Sequence, residues 1–109
     1  MRTKIELSDD RWDSYYHVWI EVTHKHIQIA EMQLDELSEY LEENFDGHYG
    51  GKLEDLRCPD SWSDDDTGLS TIGDTFAYPK DSGYNKAEFM TEFRRLVKEF
   101  KVIVKRIGR

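Results

Sequence analysis

Two histidines, His24 and His26, are the best metal-binding candidates in this sequence. On a β-strand, residues i and i+2 point to the same side, so both imidazoles would reach one Zn²⁺. A zinc site needs a further protein ligand, which His17, His48 or Cys58 would have to supply. No second ligand pair has a spacing typical of zinc sites. We therefore expect exposed histidines at a turn and no metal or other cofactor.

Motifs for catalysis are incomplete. Cys58 lies in an acidic stretch, which disfavours the thiolate that a nucleophile requires. Pro59-Asp60 and Glu99-Phe100-Lys101 match the two halves of a PD-(D/E)xK nuclease motif, but the second half falls in a predicted helix instead of the strand that such a site needs. Residues 64–68 resemble a calcium loop without the glycine and glutamate that an EF-hand requires at positions 6 and 12. We expect no catalytic residues and no enzyme.

Acidic residues on a predicted helix, residues 34–45, carry more information. Glu39 and Glu43 are i, i+4 neighbours, and like charges at this spacing cost about 0.2–0.5 kcal/mol. Glu42, Glu43 and Asp46 lie at the predicted C-terminus, where the helix dipole disfavours anions. Asp35 and Glu36, in the predicted first turn, have an ordinary capping explanation, but the acids of the last turn do not. The surface is either a solvated face that keeps the protein soluble or a binding site for a basic partner.

Trp62 strengthens the second interpretation, because it lies in a predicted polar loop that gives a large aromatic side chain little to pack against. Tryptophan is enriched among the residues that dominate protein interfaces, and acids around it would steer a basic surface. The alternative is that Trp62 folds back over the core. We expect the acidic helix face and the Trp62 loop to form one binding surface. The predicted partner-binding residues are Glu36, Glu39, Glu42, Glu43, Asp46, Trp62, Asp64, Asp65 and Asp66.

Composition narrows the class of protein. The 109 residues fit a single domain, 1–109, and the formal net charge is −8. Residues 34–75 hold 13 acids and two bases, whereas residues 76–109 hold nine bases and four acids. The basic C-terminal region would suit nucleic acid, but the net charge opposes phosphates and anionic membranes. With one cysteine and no signal peptide or membrane-spanning run in the sequence, we expect a cytoplasmic protein.

The periodicity predicts the elements that must position these side chains. Residues 4–7, 15–23 and 26–32 alternate as strands, with a hairpin turn at 23–25 joining the last two. Residues 34–45 and 89–100 have helical stripes, and Asn85 with Glu88 forms a capping box. Residues 69–78 are a weaker strand, 53–56 a short helical turn, and 101–107 fit strand or helix. These elements predict an α+β fold in which two helices cover an antiparallel sheet of three to five strands.

The expected function is stoichiometric binding to a basic, nucleic-acid-processing protein, by placing carboxylates where that protein expects phosphates. Small phage inhibitors and nucleic-acid mimics are of this physical type, and so are immunity proteins that neutralise nuclease toxins. The alternative from another class is a small metalloprotein or enzyme that uses His24 and His26.

Overall fold

The computed structural model describes residues 1–45, 51–81 and 83–106. Its elements are β1 (Arg2–Ser8), β2 (Tyr15–His24), α1 (Ile27–Asn44), β3 (Glu54–Asp55), β4 (Asp60–Asp64), β5 (Leu69–Pro79) and α2 (Lys86–Arg106). Within these ranges an antiparallel sheet of five strands packs with two helices, so the predicted α+β class is confirmed.

The sheet is built around the pairing of its two longest strands. β2 pairs with β5 over its whole length, from Tyr15 opposite Pro79 to His24 opposite Ser70. β1 pairs with the other side of β2. β3 and β4 both pair with the other side of β5, each with a different part of it. The predicted strand at 69–78 is therefore confirmed and lies inside the sheet.

Alternation along the strands gives the sheet two different faces. The covered face packs against the helices: the rings of Tyr16 and Phe89 lie 5.7 Å apart, and those of Phe76 and Phe93 lie 6.0 Å apart. Buried apolar side chains of the sheet and both helices form one cluster. The other face, which we call the open face, carries the alternate residues Lys4, Glu6, His17, Trp19, Glu21, Thr23, Asp60, Trp62, Asp64, Thr71, Gly73 and Thr75.

Helix α1 begins earlier than the sequence predicts. The predicted strand at 26–32 and its hairpin are wrong: β2 ends at His24, and the chain enters α1 at Ile27. Ile27 and Ile29 fit a strand period, but Ala30, Leu34 and Leu37 continue the same helical stripe and are buried in the core. Packing of that stripe against β2 and β5 decides the conformation.

Helix α2 has the predicted N-terminal cap. Asn85 accepts a hydrogen bond from the backbone N–H of Glu88 at 2.9 Å, and Glu88 accepts one from the backbone N–H of Asn85 at 3.1 Å. The helix continues through Arg106 because Val104 is buried on the same stripe as Phe100. No helix in the described ranges is long and apolar enough to cross a membrane.

The region between the helices is more regular than predicted. The short helical turn expected at 53–56 is wrong, because Glu54 and Asp55 pair with β5 as strand β3. The loop expected around Trp62 is also wrong, since residues 60–64 pair with β5 from Asp60 opposite Gly73 to Asp64 opposite Leu69. Polar residues form a strand here because the backbone of β5 offers them hydrogen-bonding partners.

Candidate functional site

The acids of α1 gain nothing from its dipole. Because the helix begins at Ile27, its first turn contains no acid, and Asp35 lies in mid-helix. The capping explanation expected for Asp35 and Glu36 is therefore wrong. The last turn contains no base, and Glu42 and Glu43 lie close to the helix end at Asn44, where anions are disfavoured.

These acids form one wall of a groove between α1 and the chain that follows β3. We call it the acidic groove. Its volume is about 550 Å³. The residues that line it are Asp35, Ser38, Glu39, Glu42, Glu43, Asp55 and Arg57. Three of the predicted residues, Glu39, Glu42 and Glu43, therefore share one concave surface. Glu36 is half-buried and is not part of the lining, and Asp46 lies outside the described residues.

Like charges crowd this groove. Partial burial raises the pKa of the Glu42 carboxyl above its ordinary value, the nearby charge of Asp55 raises it further, and Arg57 opposes both effects. Among the described residues that line the groove, Arg57 is the one base. Its backbone is held at φ 54°, and its N–H donates to Asp55 at 2.8 Å. A cationic group entering the groove would relieve this repulsion.

Asp74 fixes the wall of the groove opposite α1, and the sequence analysis missed it. It is 5% exposed and occupies a covered-face position of β5 between Ile72 and Phe76. Its Oδ1 accepts hydrogen bonds from the backbone N–H of Cys58 at 3.1 Å and of Thr75 at 2.8 Å. An acid at a core position of an alternating strand is the sequence signal that would have found it.

Burial raises the pKa of Asp74 to about 6, and a hydrogen bond with Asp55 raises it as well. The two backbone N–H groups act in the opposite direction. The chain after β3 is also held by the N–H of Leu56, which donates to the carbonyl of Thr75 at 3.0 Å. The wall that carries Asp55 and Arg57 is thus attached to β5 by hydrogen bonds around one buried carboxyl group.

Trp62 lies on the other side of the sheet from α1. It is opposite Thr71 on the open face, is 46% exposed, and has its ring centroid 6.4 Å from that of Trp19 at an interplanar angle of 11°. Trp62 therefore neither folds over the core nor joins the α1 acids in the single surface that the sequence suggested. The structure separates the predicted residues into two surfaces, and a binding role for each stays a prediction.

The three aspartates after Trp62 belong to the β4–β5 hairpin. The side chain of Asp64 accepts the backbone N–H groups of Asp66 at 2.8 Å and Thr67 at 3.4 Å, so this carboxylate shapes its own turn. Gly68 completes the turn at φ 69° and donates its N–H to the carbonyl of Asp64. Asp65 and Asp66 are exposed at the tip.

The histidine pair is placed differently from the same-strand arrangement considered above. His24 ends β2 and His26 precedes α1, with ring centroids 5.7 Å apart. The Nδ1 of His24 accepts the backbone N–H of His26 at 3.0 Å. In residues 1–45, 51–81 and 83–106, no group of three or more His, Cys, Asp or Glu side chains is placed to hold a metal ion. His48 lies outside these ranges.

The remaining motif residues are engaged in local contacts. Glu99 accepts a hydrogen bond from the hydroxyl of Tyr40 at 2.9 Å and forms an ion pair with Arg95. Arg95 also pairs with Glu92, so one base of the C-terminal region is matched by acids of its own helix. The thiol of exposed Cys58 donates to the carbonyl of Leu56.

Fold and surface together define a small α+β protein with one acidic concave surface and one exposed aromatic surface. No protein-family model matches this chain, and no curated protein or solved structure is significantly similar to it.

Proposed function

We propose that this is a non-enzymatic protein that presents the acidic groove to a basic protein and thereby occupies the nucleic-acid-binding surface of that partner. The observation that carries the proposal is the groove, where four acids of α1 and Asp55 surround a single base, Arg57. Nucleic-acid-binding surfaces present Lys and Arg to phosphates. A dense set of carboxylates offers such a surface the same charge.

The position of the acids supports a binding role over a solubilising one. A solubilising acid works equally well on any exposed surface. Glu42 and Glu43 instead lie at the unfavourable end of the helix dipole, and the pKa of Glu42 is raised by its surroundings. The helix dipole and the neighbouring carboxylates both destabilise these charges in the isolated protein. A cationic partner would attract the same carboxylates, so binding would offset this loss of stability.

The proposed partner is a nuclease or another nucleic-acid-processing enzyme. An inhibitor of phage type and an immunity protein that neutralises a nuclease toxin would use the same groove and differ only in that partner. The proposal includes no direct contact with nucleic acid or membranes, needs no cofactor, and places the protein in the cytoplasm. The alternative class, a metalloprotein or enzyme using His24 and His26, would leave the groove without a role.

The experiment begins with capture of a partner from the native host on the immobilised protein. Affinity is then measured at two salt concentrations, with duplex DNA as competitor. The groove variant is Glu39→Gln with Glu43→Gln, and the charge-matched control is Asp10→Asn with Asp81→Asn, which removes two exposed acids elsewhere. We expect the groove variant to bind about 10-fold more weakly, mainly through slower association at low salt.

The control should bind within about 2-fold of the wild type, since surface charges far from an interface are screened. DNA should displace this protein from its partner. Equal losses in both double variants would mean that only net charge matters. Unchanged binding of the groove variant, or simultaneous binding of DNA and this protein, would overturn the proposal.

A further inference from the structure

The open face of the sheet has an aromatic centre. Trp19 on β2 and Trp62 on β4 flank β5 there, with nearly parallel rings. Neither helix covers this face, because both pack on the opposite one. None of its residues lines the acidic groove. The two surfaces are therefore separate, and an inference about one does not depend on the function proposed for the other.

Trp19 is fixed in place as a rigid part of this face. Its ring covers Gly73: a Cβ atom at position 73 would lie 2.1 Å from Cζ2 of the indole. The indole N–H donates to Oε2 of Glu21 at 2.8 Å. Glycine inside a strand commonly marks such a close approach. The indole is held both by the sheet beneath it and by a carboxylate beside it.

Acids surround the two rings. Glu21 lies next to Trp19 on the same face of β2, and Asp60 and Asp64 lie on either side of Trp62 along β4. Each of these carboxylates has one oxygen in a local hydrogen bond: Glu21 Oε2 accepts from Trp19, Asp60 Oδ1 from the N–H of Ser61, and Asp64 Oδ1 from its turn. Glu21 and Asp60 each have a second oxygen, and they lie on either side of Gly73, below the ring of Trp19. An aromatic face next to carboxylate acceptors favours a cation that can stack and donate hydrogen bonds at the same time.

Arginine fits this combination better than lysine. Its guanidinium group is planar, stacks on indole rings, is weakly hydrated and presents several N–H donors. The described part of the chain shows such a contact, since the guanidinium carbon of Arg11 lies 4.6 Å from the ring centroid of Trp12. A nucleobase could also stack on tryptophan, but its phosphates would meet the carboxylates of Glu21 and Asp60.

We propose that the Trp19–Trp62 surface binds an arginine side chain carried by a basic protein segment. The guanidinium stacks on the exposed indole of Trp62, and the carboxylates of Glu21 and Asp60 accept its N–H groups. Trp62 provides most of the accessible ring surface, while Trp19 and Glu21 form a fixed floor. This surface lies behind the sheet as seen from the acidic groove, so a partner would reach the two surfaces from different sides.

The test uses a blocked Gly-Arg-Gly-Arg-Gly peptide, with lysine and citrulline versions as probes of charge and shape. Indole N–H resonances of the three tryptophans report which ring is contacted. We expect the resonances of Trp19 and Trp62 to shift with the arginine peptide, about 3-fold weaker binding of the lysine peptide, and no shift with the neutral citrulline peptide.

Trp62→Ala and Glu21→Gln should each weaken binding of the arginine peptide about 3- to 10-fold. Trp12→Ala is the matched control, because Trp12 is 81% exposed and has Arg11 over its own ring; it should leave the affinity unchanged. Thermal melts identify any variant that is unfolded. If a variant is unfolded, the indole resonances of the wild type with the arginine, lysine and citrulline peptides test whether the surface binds arginine.

The groove variant, Glu39→Gln with Glu43→Gln, should bind the arginine peptide like the wild type, so that failure here and failure of the proposed function are distinguishable. Three results would overturn the inference: equal binding of lysine and arginine peptides with shifts spread over all acidic surfaces, no shift of Trp19 and Trp62, or shifts caused by a thymidine oligonucleotide and not by the arginine peptide.

Discussion

The covered face of the sheet carries Val18, Ile20 and Phe76 and excludes water, whereas the open face, formed by the alternate residues of the same strands, carries Trp19, Trp62 and acids. Each face nevertheless contains residues typical of the other. Asp74 lies among the apolar side chains of the covered face, and Trp19 is an apolar ring among the charges of the open face. In both cases a specific neighbour compensates: backbone N–H groups for Asp74, and Gly73 with Glu21 for Trp19. Both exceptions lie at the surfaces proposed above for binding: Asp74 behind the acidic groove and Trp19 beside Trp62.

The largest effect is expected at the close approach on the open face. Gly73→Ala places a Cβ atom inside the ring of Trp19, which must lift from the sheet and lose its hydrogen bond to Glu21. We expect the free energy of unfolding to fall by about 2–3 kcal/mol, with a shift of tryptophan fluorescence. Denaturant unfolding measures the first effect.

A double-mutant cycle is the control for this prediction. In a Trp19→Val background the clash is gone, so Gly73→Ala should cost little. If the substitution costs the same in both backgrounds, the strain lies in the backbone of β5 and the ring of Trp19 is not held by Gly73.

An intermediate effect is expected at the charged exception on the covered face. The folded protein holds the Asp74 proton up to about pH 6, whereas an ordinary aspartate releases it near 3.8. Folding therefore binds a proton between these values, and stability falls as the pH rises through this window. Asp74→Asn keeps an acceptor for the N–H groups of Cys58 and Thr75 but cannot ionise.

We expect Asp74→Asn to match the wild type below pH 3.8 and to be about 1–2 kcal/mol more stable above pH 6. Urea unfolding at a series of pH values measures this difference. Asp60→Asn, which removes an exposed carboxylate on strand β4, is the control for the loss of one negative charge. A stability difference that is independent of pH would contradict the assignment of the raised pKa to Asp74.

The smallest effect is expected on the acidic side of α1. Glu43→Lys turns the repulsion between Glu39 and residue 43 into attraction in the favoured order, and it puts a cation near the helix C-terminus. We expect the free energy of unfolding, measured by thermal melts, to rise by about 0.5–1 kcal/mol. Glu31→Lys pairs residue 31 with Asp35 at the same spacing, but in the less favoured order and far from the helix C-terminus, so it should gain less. A loss of stability in Glu43→Lys would mean that Glu43 has a structural role in the fold.

Much of the architecture could be predicted from local periodicity. The alternation of Tyr16, Val18, Ile20 and Val22 predicted β2 and its buried face, and Asn85 with Glu88 predicted the start of α2. Where residues fit two periods, as around Ile27 and Ile29, the prediction was wrong, because burial of Ala30 and Leu34 against the sheet decides between helix and strand.

The candidate site could be predicted only in part. Glu39, Glu42 and Glu43 were found because charge repulsion on a helix depends on residues three and four apart. Asp55, Arg57 and Asp74 complete the groove from the sheet side, and no spacing along the chain indicates that they meet α1. A glycine inside a strand, such as Gly73, indicates that another group packs closely against the backbone, but it does not indicate that this group is the ring of Trp19.

Local patterns in the sequence were enough to predict the α+β class, the buried stripe of α2, the part of the α1 stripe from Leu34 onward and the acidic surface of α1, because these depend on neighbours within about one or two helical turns or on strand alternation. Tertiary structure alone decided that Trp62 lies beside Trp19, on the side of the sheet away from α1. That arrangement depends on the register between strands. Thr23 of β2 lies opposite Thr71 of β5, and their side-chain hydroxyl groups form a hydrogen bond although the two residues are 48 positions apart in the chain. A shift of one residue in that register would turn every side chain of the strand to the opposite face.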